Sequence, residues 1–255
     1  MIDRRRREPL GSALVAFVLA VAAVAGTPAG RVAAAPGYEL DLYRSGDFVA
    51  QTNLVQCVGA SMQMMINIIA ARDDRTAETQ HRLWLLARSF RSIPVRPGRQ
   101  GASVRGWSLG LNELGYGPYR VAGFSTLEAA TRAAARAIRV TGKPVGLLVW
   151  GGRHAWVMSG FTATADPLAT DEFRVTHARV LDPLYPRHST TWGRSPEPGT
   201  SLTLETLGAS FIPRRRRPIG SDGVPVAAPS LAGKWVLVVP ASVAPPRLQT
   251  QRLVD

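Results

Sequence analysis

Cysteine is nearly absent from this 255-residue chain, where Cys57 stands alone. A single cysteine excludes a disulfide scaffold and a thiolate zinc cluster. Lysine is almost as scarce: Lys143 and Lys234 are the only two among 31 basic residues. Acidic residues number 18, which leaves a net charge of +13. That charge would suit a nucleic-acid binder. However, the basic residues are almost all Arg, set among 24 Gly and 19 Pro, as in a GC-rich coding background. They are scattered, apart from the runs Arg4–Arg7 and Arg214–Arg217. No nucleic-acid partner is expected, only weak attraction to anionic surfaces. Beyond the N-terminus no apolar run is long enough to span a bilayer, which excludes a polytopic membrane protein. With 19% charged and 45% hydrophobic residues, general disorder is excluded too. The length suits one large domain or two small ones, with a core of its own.

The N-terminus reads as an export signal. Arg4–Arg7 form a positive region, Leu10 to Gly26 an apolar one, and Val32-Ala33-Ala34-Ala35 a small-residue cleavage site. Cleavage is expected near Ala34, with Thr27-Pro28-Ala29 as the competing site. An uncleaved signal anchor is the alternative, and only then would the protein be held at a membrane. Residues 1–34 thus form the signal, 35–243 a single domain and 244–255 a loose tail. Loss of the signal removes five Arg, one Asp and one Glu and leaves a charge of +10. No long inhibitory propeptide is expected between the cleavage site and Gln51. In an exported chain an unpaired cysteine needs a reason, and a reactive thiol is one.

Helices come first and strands later. Tyr38 to Val49 reads as an extended lead-in. Cys57 to Ala71 is apolar nearly all round and predicts a buried helix, with Met62, Met64 and Met65 in the core. Further helices are predicted over Thr76–Phe90 and Ser103–Leu114, with Trp84 and Trp107 on their apolar stripes. A fourth opens at Ser125 with a capping box to Glu128 and closes at Gly142. Strands are predicted over Val145–Trp150, His154–Phe161, Phe173–Leu181 and Trp235–Val239. Residues 186–233 read as an irregular insertion with one short helix near Leu202–Phe211, and Arg214–Arg217 as a solvated loop within it. Helices followed by strands with few βαβ units indicate an α+β domain.

Cys57 opens its helix, where the helix dipole favours a thiolate, the nucleophilic form. Gln51, six residues upstream, carries an amide that can donate to a developing oxyanion beside the Cys57 backbone N–H. Gln56 is less well placed for that task. His154 opens a strand. If His154–Phe161 and Phe173–Leu181 pair antiparallel about residue 168, His154 lies directly beside Asp182, with Trp156 and Val180 next along. His177 then points to the other face. Trp156 either shields the His–Asp pair or fills the sheet face. The chemistry that follows is nucleophilic attack by Cys57 on a carbonyl, with His154 as its ion-pair partner and proton donor. Asp182 orients His154, and Gln51 stabilises the oxyanion.

The run Gln51-Thr-Asn-Leu-Val-Gln-Cys57-Val-Gly-Ala-Ser-Met, then Gly142-Lys-Pro-Val145, His154-Ala-Trp-Val-Met-Ser-Gly160 and Leu181-Asp182-Pro183, resembles papain-like cysteine peptidases, most closely their bacteriocin-leader peptidase-like branch. The resemblance covers roughly residues 47–240. It implies a papain-like fold, with the Cys helix packed on an antiparallel sheet that brings His154 and Asp182. It implies hydrolysis of a peptide or protein substrate by a monomer without metal or other cofactor. The chain departs from the family where Gln56 replaces an Asp and Val58 a Gly beside the Cys, and it has no transporter region. Double-glycine leader processing is therefore not expected. Two alternatives stay open: a non-catalytic papain-fold binding protein, and an acyl-transfer enzyme such as a transglutaminase or a peptidoglycan amidase. A metal enzyme is not expected, since His81, His177 and His188 lack a paired ligand motif.

Overall fold

The structure is a computed structural model and describes residues 37–90, 100–215 and 231–241. The chain divides into two units, Met1–Ala33 and Ala34–Asp255. The segment expected to be an export signal and the tail from residue 244 lie outside the described residues, so the description concerns the second unit. No helix among the described residues is long and apolar enough to cross a membrane.

Helices begin where short polar side chains can cap them. Helix α1 covers Cys57–Ala70, and its first three turns are buried, as its all-round apolar character requires. Thr76 caps α2 (Ala77–Ser89) by accepting from the Thr79 N–H, and Ser103 caps α3 (Val104–Glu113) by accepting from Gly106. At α4 (Leu127–Thr141) the cap is Thr126, which accepts from Ala129. The cap expected at Ser125 is therefore displaced by one residue, and with Ala129 at the third helical position the expected capping box to Glu128 does not form. The Ser125 hydroxyl accepts from Lys234 Nζ instead.

The strands are β1 (Tyr38–Asp41), β2 (Tyr119–Phe124), β3 (Val145–Val149), β4 (His154–Ala163), β5 (Val175–Leu181), β6 (His188–Ser189), β7 (Gly193–Arg194), β8 (Thr200–Thr203) and β9 (Trp235–Pro240). Seven of them form one antiparallel sheet in the order β2-β9-β3-β4-β5-β8, with β1 also paired to β4. Strand β1 meets Gly160–Ala163 while β3 meets His154–Met158. The two therefore lie end to end along one edge of β4.

Helices cover both faces of this sheet, so the molecule is α+β with two cores. On one face Met62, Met65, Trp107 and Leu111 from α1 and α3 pack on Ala155, Val157, Leu181 and Val238. On the other, Ala130, Ala134 and Ile138 from α4 pack on Leu147, Trp156, Met158 and Phe161. Strand β4 alternates as a strand must, Ala155 and Val157 to one side and Trp156 and Met158 to the other. A bulge at Ser159 then reverses the parity, so Phe161 and Ala163 face the same side as Met158. The Ser159 groups freed by the bulge are met by Asp41 and by the Leu42 N–H. Helices α1, α2 and α3 cross closely at glycines. A Cβ at Gly59 would stand 2.6 Å from the Gln80 carbonyl oxygen, and one at Gly106 1.8 Å from that of Ala87.

Two expectations need correction. Strand β2 has no counterpart in the sequence reading: its exposed and buried residues do not alternate strictly, and its partner β9 lies far along the chain. The 186–233 segment is not simply irregular. It supplies the β6–β7 hairpin, edge strand β8 and helix α5 (Leu204–Ser210), while 216–230 lies outside the described residues. Of the Arg214–Arg217 loop, only Arg214 and Arg215 are described; Arg215 is exposed, as expected of a solvated loop, and its N–H donates to Gly151 O in the β3–β4 turn.

Candidate active site

Helix α1 is pinned to β4 one turn below its start. The Ser61 hydroxyl donates to the carbonyl of Ala155, the residue after His154, at 3.3 Å. Ser61 stands four residues after Cys57, so this bond sets the start of α1 beside the start of β4. Cys57 itself is buried. Its sulfur lies near enough to the His154 imidazole to favour the charged form of the ring.

His154 Nε2 and Asp182 Oδ1 lie 2.6 Å apart, with both side chains buried. The pair expected from the sequence therefore meets, but in another register. Val157 faces Leu181 and Met158 faces Val180, so β5 is offset by two residues from the predicted pairing. A two-residue slip preserves the face each side chain points to, whereas a slip of one would have separated them. Asp182 lies one position past Leu181, nearer Trp156 than His154 along the ladder. The imidazole and carboxylate close the remaining diagonal through their own length. His177 sits far along β5, bonded to Thr176, and plays no part here.

Asp182 has no exposed surface. Its charge is met by three donors: His154 Nε2 and the Leu184 N–H at 2.8 Å on Oδ1, and the Ser195 hydroxyl on Oδ2. Burial is the largest influence on His154 and disfavours its charged form. Hydrogen bonds to Asp182 and Cys57, together with the negative charges of both, outweigh it and raise the pKa to about 9. Since Nε2 is engaged by Asp182, Nδ1 is the nitrogen left for the sulfur.

Gln51 is buried and held in place at both ends. Its N–H donates to Pro183 O at 2.7 Å, next to Asp182, and its side-chain amide donates to Asn53 O at 2.8 Å. That amide has a second N–H, and its oxygen has no partner among the described residues. Gln56 turns the other way. It donates to His81 Nδ1 on α2 at 2.9 Å and accepts from Thr52, whose hydroxyl also reaches Gln80. Where the resemblance leads one to expect Asp, this chain thus uses an amide to tie the Gln51–Cys57 loop to α2.

Three neighbours were not legible in the sequence. Trp150 stacks on His154, with ring centroids 4.2 Å apart. Trp192 stacks on Trp150 at 5.9 Å, nearly parallel, and Ser195 reaches Asp182. Trp150 has φ 57°, followed by Gly151 at 64° and Gly152 at 98°. A non-glycine residue held there costs about 1–3 kcal/mol, a strain that clusters at functional sites. The Gly-Gly pair was the available signal for this turn. Nothing in the sequence pointed to Trp192 or Ser195. Trp156 fills the sheet face, the second of its two expected roles, and packs in the α4-side core. Among the described residues no group of three or more His, Cys, Asp or Glu gathers as a metal site. Comparisons with protein-family models, curated proteins and solved structures found no match to this chain.

Proposed function

We propose that this protein is an exported cysteine peptidase of papain-like architecture, hydrolysing peptide bonds through Cys57, His154 and Asp182. The observation that carries the reading is the buried imidazole of His154, whose Nε2 meets Asp182 at 2.6 Å and whose charged form both Asp182 and Cys57 favour. The Cys57 thiolate attacks the scissile carbonyl carbon, forming a C–S bond and an oxyanion. The Cys57 backbone N–H and the free N–H of the Gln51 amide are the donors for that oxyanion. Collapse breaks the C–N bond, and His154 gives its proton to the departing amine. The neutral imidazole then takes a proton from water as that water attacks the thioester, which releases the acid and regenerates Cys57. Asp182 holds the ring in the required tautomer throughout.

The test pairs a reactivity measurement with a substrate screen. Iodoacetamide should alkylate Cys57 faster in the wild type than in His154→Ala. A quenched-fluorescent peptide library should then be cleaved by the wild type and left intact by Cys57→Ala. Equally slow alkylation in both proteins would overturn the reading. Amine incorporation without peptide cleavage would replace hydrolysis by acyl transfer on the same three residues.

A further inference from the structure

We propose that Ser195 is a positioning residue for the His154–Asp182 pair and that the β6–β7 hairpin exists to deliver it. This inference rests on the peptidase reading and extends its machinery into the segment that looked like an insertion. The two oxygens of Asp182 are served unequally. Oδ1 receives both His154 Nε2 and the Leu184 N–H, while Oδ2 is met by the Ser195 hydroxyl. A carboxylate swings about its Cβ–Cγ bond unless both oxygens are held. The Ser195 hydroxyl therefore fixes the plane in which Oδ1 faces the imidazole.

Ser195 is itself buried and follows β7 directly. Three residues earlier, the same hairpin carries Trp192, which stacks on Trp150, the ring lying against His154. One short hairpin thus reaches both members of the pair, Asp182 directly and His154 through Trp150. Its two strands, His188–Ser189 and Gly193–Arg194, pair only with each other and add nothing to the main sheet. Sheet stability does not explain the hairpin; contact with the pair does.

A merely structural serine and a positioning serine are separated by variants at this position. Ser195→Thr and Ser195→Val have nearly the same shape and differ in the hydroxyl, so any packing penalty is common to both. With the best peptide from the library, Ser195→Val should lose about 10- to 100-fold in kcat with KM within about twofold, and Ser195→Thr should recover most of it. Ser195→Ala should match Ser195→Val.

The second readout needs no substrate. The far-downfield proton resonance of His154 Nε2–H, bridging to Asp182, should be sharp in wild type and Ser195→Thr. It should be shifted or broadened in Ser195→Val and Ser195→Ala. If Val and Thr variants share kcat and share that resonance, the proposal is overturned, whatever their melting temperatures. If the wild type cleaves no peptide yet the resonance still follows the hydroxyl, the positioning role stands and the peptidase reading fails.

Discussion

The proton on His154 is the most direct test of the site, because its environment contains opposing influences of known sign. Burial disfavours the imidazolium, while hydrogen bonds to Asp182 and Cys57 and their charges favour it, with a net rise from 6.5 to about 9. At roughly 1.4 kcal/mol per pH unit, that rise is worth about 3 kcal/mol of preference for the charged ring. The assay is an NMR pH titration of the His154 ring in ¹³C- or ¹⁵N-histidine-labelled protein. The wild type should titrate near 9. Cys57→Ala removes a hydrogen bond and a negative charge and should lower the value. Asp182→Asn removes the other charge and should lower it as well. With both changes only burial remains, and the ring should titrate below 6.5. The same rise makes folding pH-dependent. The folded ring holds its proton to about 9 and the unfolded one only to 6.5, so this contribution is complete below pH 6.5. It is lost as pH rises through about 9. Denaturant midpoints should fall across that window in the wild type and much less in the double variant. A wild-type ring that titrates at 6.5 or below, or one indifferent to Cys57→Ala, would refute the contact between the two side chains.

Three further outcomes follow from particular contacts. Gln51→Ala should lower kcat by about 10²–10³ while changing KM much less, as expected for an oxyanion donor; a rise in KM alone would remove Gln51 from that role. Gly106→Ala should destabilise by about 3 kcal/mol despite the gain of about 1 kcal/mol in helix propensity, because its Cβ would meet the Ala87 backbone oxygen at 1.8 Å. An unchanged melting temperature in that variant would mean that α2 and α3 do not cross there. Tyr119 donates its hydroxyl to Pro144 O at 2.9 Å, and burial pushes its phenol upward. Tyr119→Phe should therefore cost about 1–2 kcal/mol, and ultraviolet titration of the wild type should leave one tyrosine un-ionised until alkaline unfolding that the variant lacks.

Helices α1 to α4 and strands β3, β4, β5 and β9 were legible because each carries its own periodicity, cap or stop within a dozen residues. The all-round apolar run after Cys57 demanded burial, and Gly142 stopped α4. The pairing of Cys57, His154 and Asp182 was legible as residue types in order. Strands β2 and β8 were not, since a short half-exposed strand is defined by its partner and not by itself. The β4–β5 register was also misjudged by two residues. The two irregularities, one extra residue in β5 near Thr176 and one in β4 at Ser159, cancel, so the offset is already present at the pair Ala163–Val175 and is set by the loop that joins the strands, whose conformation local sequence does not announce.

Local chemistry, then, was written in the sequence: a thiol at a helix start, a histidine opening a strand, and an aspartate just past the end of the next. Such features depend on neighbours a few positions away. The tertiary structure decided what surrounds them. It brought Ser195 to the second oxygen of Asp182, laid Trp150 and Trp192 beside His154, and turned Gln56 towards His81. Those contacts join residues far apart in sequence or set by a turn of unusual backbone, so no local pattern encodes them. They exist only once the sheet has closed and buried the charges they must satisfy.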